Sequence, residues 1–284
     1  MSYEIQKLVP DDFPQLLREI PDAPKSMYLR GTLPPPETKL LAVVGSRKMS
    51  RYGKDACEHL IQGLAGYPIA IVSGLALGLD GVAHTAALAA GLPTVAVPGS
   101  GLDDSVLYPR THLGLAKEIL IKGGALLSES EPFEKPAVYS FPKRNRIMAG
   151  MSHAILVVEA GIQSGTLITA RLATEYNREL LCVPHSIFAE GGEGTHLFMK
   201  LGATPARSAD DILEALGIKK DVTVRTLSLT PDESNVLGLL SEPKTRDELF
   251  RELALPIGEA NVLLASMELR GLIAESLGEV RKQI

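Results

Sequence analysis

Four short apolar runs divide the middle of the chain, and a turn rich in glycine and serine follows each of them closely. Each run has four or five residues, which suits a strand buried on both faces. Segments long enough to hold a helix separate the runs. They cover residues 40–44, 69–72, 94–97 and 154–158. This alternation predicts an α/β fold, a Rossmann-like doubly wound sheet of mostly parallel strands.

The turns after these runs all lie at the carboxyl ends of predicted strands, the edge where such sheets bind ligands. Glycine lets the backbone approach a phosphate closely, and the free N–H groups at a helix start favour an anion. One such turn alone is typical of tight strand-to-helix packing. Four on one edge predict an anion-binding cradle. Its members are Gly45, Ser46 and Arg47; Ser73 and Gly74; Gly99; and Ser164, Gly165 and Thr166.

An aromatic ring, an amide and three cations stand together just before the fourth run. On a chain with a formal net charge of -5, this density indicates a local anion site. Single-stranded nucleic acid is bound by such groups, with bases stacked on rings and guanidinium groups on phosphates. Taken alone, the stretch favours a helix N-terminus with a solvated basic face, and the four turns shift the balance. The candidate contacts are Phe141, Lys143, Arg144, Asn145 and Arg146.

Prolines and glycines mark the domain organisation. Residues 1–39 are rich in proline and are predicted to pack on the main domain as a lead-in segment. Residues 40–217 form the predicted sheet domain, and residues 218–229 a linker. Residues 230–284 predict three helices and a hairpin, the pattern of a winged helix.

The charge of this last segment opposes duplex binding. It holds six Lys and Arg against ten Asp and Glu, whereas affinity for duplex DNA comes mostly from neutralised phosphates. We therefore expect it to serve protein–protein contact or regulation, and a transcription factor built on it is disfavoured.

Composition excludes other classes of protein. No apolar run approaches the roughly 20 residues that span a bilayer, and the first residues lack a secretory pattern. We expect a cytoplasmic protein with no membrane partner. Cys57 and Cys182 are expected to be free thiols. The six histidines have no metal-ligand spacing, and neither a metal nor a cofactor is expected.

The order of these motifs resembles that of the DNA processing protein A family, also called DprA or Smf. The resemblance runs from about residue 10 to the C-terminus. It rests on Gly45-Ser46-Arg47, Ser73-Gly74 through His84, Tyr108-Pro109, Ser128-Glu129, Phe141 through Ile147, and Glu159-Ala160 through Thr166.

The resemblance implies an extended Rossmann-like domain that binds single-stranded DNA, forms homodimers and is not an enzyme. It implies that the protein protects incoming strands and loads the recombinase RecA during natural transformation. Phosphate contacts would come from the first turn, from residues 143–145 and from residues 164–166, with Phe141 as the stacking ring. The C-terminal winged helix would be the family's accessory domain.

Two positions depart from the family pattern. Leu77 stands where members often have arginine, which removes one cation. His196 replaces a typical asparagine and is expected to preserve a hydrogen bond.

A nucleotide-binding or phosphoribohydrolase-type enzyme is the alternative, because Rossmann-like domains usually bind small phosphorylated ligands. Those hydrolases carry a glutamate where this chain has Thr169. A P-loop and a GxGxxG motif after the first strand are both missing. Asp80 and Glu159 are interpreted as a helix cap and a strand-end acceptor.

Overall fold

The structure, a computed structural model, describes residues 3–162, 164–219, 230–253, 255–276 and 278–282. The chain divides into two compact units, Met1–Lys220 and Asp221–Ile284. Each has a hydrophobic core of its own. Most of the predicted linker, from residue 220 to 229, lies outside the described residues.

A nine-stranded sheet forms the centre of the larger unit. Its strands are β1 (Ile5–Leu8), β2 (Met27–Gly31), β3 (Lys39–Gly45), β4 (Ile69–Ser73), β5 (Thr94–Ala96), β6 (Ala125–Ser128), β7 (Ala154–Glu159), β8 (Glu179–Cys182) and β9 (Thr204–Pro205). They lie in the order β1-β2-β6-β5-β4-β3-β7-β8-β9. The pairs from β6 to β9 are parallel, and β1 and β2 add two antiparallel strands at one edge.

Helices cover both faces of this sheet. They are α1 (Gln15–Arg18), α2 (Arg51–Gln62), α3 (Leu79–Ala89), α4 (Leu113–Ile121), α5 (Ser140–Met151), α6 (Thr166–Glu175), α7 (Glu193–Lys200) and α8 (Ala209–Ala215). One core cluster joins the sheet to α1, α5, α6 and α7, and a second joins it to α2, α3 and α8. The strands are apolar on both sides because both faces are covered. The predicted doubly wound α/β fold is confirmed.

The topological switch point lies between β3 and β7. The chain proceeds from β3 through β4 and β5 to β6, then returns by α5 to β7, which pairs on the other side of β3. Gly45 and Glu159, at the carboxyl ends of these two strands, are register partners. A crevice opens at such a point because the connections leave in opposite directions.

The smaller unit is a winged helix. It contains α9 (Pro231–Leu239), β10 (Lys244–Thr245), α10 (Arg246–Glu252), α11 (Ile257–Leu269), β11 (Ile273–Ser276) and β12 (Glu279–Lys282), with the strands in one antiparallel sheet. Thr230 and Thr245 begin α9 and α10 with capping boxes completed by Glu233 and Glu248. The prediction of a winged helix is confirmed. In the described part of the chain no helix has the length and apolarity to cross a membrane.

Candidate nucleic-acid interface

Arg47 and Phe141 meet at the carboxyl edge of the sheet. Arg47 is exposed in the loop after β3, and Phe141 lies in the first turn of α5. The guanidinium carbon lies 5.1 Å from the centre of the Phe141 ring, a cation–π contact. Two groups that the sequence places in separate segments are thus neighbours.

The loop that carries Arg47 is held at both of its ends. The Ser46 carbonyl accepts a hydrogen bond of 3.2 Å from the N–H of Leu79. A Cβ at Gly78, whose φ is +80°, would collide with the Ser46 and Arg47 carbonyls, so the next turn packs directly on this loop. At the far end, Glu159 accepts hydrogen bonds from the N–H and the hydroxyl of Ser50, the latter at 2.5 Å.

The Ser46 hydroxyl is occupied within the loop itself. It accepts from the N–H of Lys48 at 3.1 Å and donates to the carbonyl of the same residue at 2.9 Å. The half-buried Gly45 and Ser46 therefore shape the loop, and the exposed Arg47 projects from it. Among the described residues, Arg47 forms no ion pair with a carboxylate.

Phe141 is fixed from beneath by the turn after β5. A Cβ at Gly99 would lie 2.6 Å from Cδ1 of Phe141, so glycine is what lets the ring settle there. The Ser140 hydroxyl donates to the Gly99 carbonyl at 2.5 Å. Gly99 is buried, and the ring of Phe141 packs against it.

Arg144 is buried beneath the site, with 7% of its surface exposed. Its Nη1 donates to the Val97 carbonyl at 2.7 Å and lies 3.8 Å from a carboxylate oxygen of Asp80. The guanidinium fills the space where Gly74 would carry a side chain. Burial lowers the pKa of Arg144 and raises the pKa of Asp80, against the attraction between the two charges. The sequence predicts a direct contact between Arg144 and a phosphate. The contacts that the structure shows for Arg144 lie inside the protein and do not support that prediction.

The other cations of the cluster differ in their exposure. The Lys143 side chain is 55% exposed and its ammonium lies 3.2 Å from Glu129. Arg146 is 12% exposed and pairs with Glu129 at 2.7 Å and Asp22 at 3.3 Å. Lys143 is therefore the accessible charge, and Arg146 is bound by two carboxylates. Asn145 is half-buried.

The remaining predicted turn residues lie along the same edge. Ser164 is half-buried and Gly165 exposed before α6, while Thr166 is buried at its first position. The Ser164 hydroxyl accepts from the Thr166 N–H at 3.2 Å. Ser73, after β4, is fully buried and donates to the Val43 carbonyl at 2.6 Å.

Sequence reasoning missed Tyr108 as a site residue. Its ring centre lies 5.8 Å from that of Phe141, and 43% of its surface is exposed. It also missed Glu129, which binds two of the three cations. Both residues belong to motifs that carry the family resemblance, which was the available signal.

The two positions that depart from the family pattern differ in their surroundings. Leu77 is 46% exposed on the loop after β4. His196 Nε2 lies 3.0 Å from the His185 carbonyl, so a hydrogen bond is made at this position.

No cluster of three or more metal-ligating side chains occurs among the described residues. Cys57 and Cys182 are free and buried, and burial raises the pKa of each thiol to about 12.

The cations of the winged helix are largely engaged by its own acids. Arg246 pairs with Glu275 at 2.5 Å and Glu268 at 3.0 Å. Arg270 pairs with Glu233, and Lys244 with a further glutamate. These three cations are therefore less available to phosphates.

Two family models match this chain, one for each compact unit. The sequence model of DNA recombination-mediator protein A matches residues 5–217, and that of the DprA winged helix domain matches residues 223–279. The chain belongs to the DNA recombination-mediator protein A family.

Curated relatives match most of the chain. Protein Smf of Escherichia coli K12 is 38% identical over 282 residues, covering 94% of this chain and 75% of the relative. The DNA processing protein DprA of Streptococcus pneumoniae R6 is 40% identical over 218 residues, covering 75% and 76%.

Two solved structures are similar in fold to about three quarters of this chain. DprA from Streptococcus pneumoniae has a TM-score of 0.69 and 39% identity, covering 74% of each chain. A structure that describes the single-stranded DNA binding mode of DNA processing protein A from Helicobacter pylori has a TM-score of 0.66 and 28% identity, covering 75% of this chain and 96% of that one.

Proposed function

We propose that this protein binds single-stranded DNA at the carboxyl edge of its sheet and does no chemistry on it. The contact between Arg47 and Phe141 carries the proposal, because it joins a cation and a ring at the switch point of the sheet. Phosphates pair with Arg47 and Lys143, and a base stacks at Phe141. The binding of single-stranded DNA by the Helicobacter relative supports this assignment.

The predicted site residues then divide into two groups. The first contacts DNA, through exposed or half-buried side chains and through the backbone of the turns: Gly45, Ser46, Arg47, Phe141, Lys143, Asn145, Ser164 and Gly165. The second holds the first in position, and its members are buried or, in the case of Arg146, bound by two carboxylates: Ser73, Gly74, Gly99, Arg144, Arg146 and Thr166. Within the first group, the two cations Arg47 and Lys143 give binding its salt dependence.

The environment of Glu159 supports binding without catalysis. Glu159 is 3% exposed, and its carboxylate accepts hydrogen bonds from the N–H and the hydroxyl of Ser50. These hydrogen bonds fix the start of α2. Thr169, where the phosphoribohydrolases carry glutamate, is 1% exposed. A general acid or base must reach its substrate, and neither residue does.

We further propose that the DNA is an incoming strand taken up in natural transformation. A homodimer of this protein would protect that strand in the cytoplasm and load the recombinase RecA onto it. The family's description as a recombination mediator supports this role.

Recombinase assembly on strands precoated with single-strand binding protein tests the role. The wild-type protein is expected to speed RecA assembly on them, and Arg47→Ala to lose that effect along with DNA affinity. The matched control is Lys122→Ala, an exposed lysine after α4, at the opposite edge of the sheet. Unchanged RecA assembly despite tight DNA binding would contradict the loading role while leaving the binding site standing.

A further inference from the structure

Phe141 is half-buried. Gly99 packs against Cδ1 and Cε1 of its ring, and the guanidinium of Arg47 lies over the ring at 5.1 Å from the ring centre. A base that stacks on Phe141 must therefore take the place of Arg47. Any further base needs another ring.

Tyr108 supplies that ring. Its centre is 5.8 Å from that of Phe141, the two planes are tilted by 53°, and 43% of its surface is exposed. Its backbone N–H donates to the hydroxyl of Ser100, a fully buried residue, at 3.2 Å. The backbone of Tyr108 is thus held by the core. Ordering this ring when DNA binds therefore costs little free energy.

We infer that Tyr108 is a second base-stacking ring and that the site takes two consecutive unpaired bases, one on each ring. The inference rests on the proposed function. Because the ring planes differ by 53°, one flat base does not lie parallel to both. Two neighbouring bases of an unstacked strand do, and they can tilt independently of one another.

The cations nearest to Phe141 give the bound strand its path. Arg47 lies over the ring, and the exposed Lys143 follows two positions along α5. The phosphates pair with these two cations, and the faces of the two bases stack on Phe141 and Tyr108.

Three variants test the second ring through affinity for oligo-dT. Tyr108→Ala should lose about 5- to 150-fold in affinity, the loss of one stacked base, with an unchanged salt slope. Tyr108→Phe keeps the ring and should bind like the wild type. Tyr67→Ala is the matched control, a half-buried tyrosine just before the amino end of β4, at the opposite edge.

Photocrosslinking separates stacking from mere support of Phe141. Oligo-dT with a single 5-iodouracil, moved along the strand, should crosslink to Tyr108 and to Phe141 from adjacent positions of the wild-type complex. Wild-type affinity of Tyr108→Ala would overturn the inference. A loss of affinity without any crosslink to Tyr108 would also overturn it. If Arg47→Ala too bound like the wild type, the proposed site itself would fall.

Discussion

The guanidinium of Arg47 lies over the ring of Phe141 at the place where a base would stack. A bound strand therefore rearranges the pair, since the base takes the ring and the guanidinium moves to a phosphate. Stacking and phosphate pairing are expected to be coupled for this reason, although one is apolar and the other ionic.

A double-mutant cycle measures that coupling. Arg47→Ala should weaken binding of oligo-dT and lower its log–log salt slope by about 0.7. Phe141→Ala should weaken binding by about 1–3 kcal/mol with almost no change of slope, and Phe141→Tyr should retain affinity. The two losses should deviate from additivity by about 0.5–3 kcal/mol. Additive losses would show that the ring and the guanidinium act independently.

Substitution of two neighbouring cations of α5 should affect different properties: DNA binding for Lys143 and stability for Arg144. Lys143→Ala removes an exposed charge, so DNA affinity and salt slope should fall while stability changes by less than about 0.5 kcal/mol. Arg144→Met leaves Asp80 buried without its partner and should cost about 3–5 kcal/mol of unfolding free energy. Denaturant titrations measure stability, and oligo-dT titrations at several salt concentrations measure binding. A stable Arg144→Met protein with a reduced salt slope would restore Arg144 as a phosphate contact.

The contrast between Lys143 and Arg144 shows which features can be predicted from the sequence and which cannot. The apolar runs and the turns after them predict the strands and the binding edge, because both follow from local spacing. Which cation of the cluster is buried depends on where α5 begins. Counting back from Met151 and Met148 by a helical period places Arg144 and Ser140 on the buried face, a signal present in the sequence. The position of Tyr108 depends on the path of a long loop, which no local pattern determines.

His84 makes the stability of the larger unit depend on pH. It is fully buried against Thr94, with its Nδ1 at 2.7 Å from the Thr94 hydroxyl, and burial lowers its pKa to about 3. The unfolded chain takes up this proton near pH 6.5, and the folded protein does not until about pH 3. The stability contributed by neutral His84 is therefore complete above pH 6.5 and is lost on acidification.

Comparison with a variant isolates this residue. The unfolding free energy of the wild type should fall below pH 6.5 more steeply than that of His84→Gln, by at most about 1.4 kcal/mol for each pH unit. Denaturant unfolding from pH 7 to pH 4 measures both slopes. Parallel curves would show that folding does not lower the pKa of His84.

Removal of residues 220–284 should leave binding of single-stranded DNA intact. The winged helix has its own core, its Arg246 and Arg270 are paired with its own glutamates, and its charge is net negative. Titration of oligo-dT with the shortened protein should give the wild-type affinity or a slightly higher one. Lost binding by a shortened protein that remains folded would assign the DNA site to the winged helix.

Titration with three ligands is the decisive test of single-stranded DNA binding at Arg47 and Phe141. Labelled oligo-dT, a labelled duplex and AMP are each added to the wild-type protein and to the Arg47→Ala, Phe141→Ala double variant, at several salt concentrations. We expect tight, salt-dependent binding of oligo-dT alone by the wild type, and its loss in a double variant that still unfolds like the wild type. Preference for the duplex or for AMP, or unchanged oligo-dT affinity in the double variant, would contradict it.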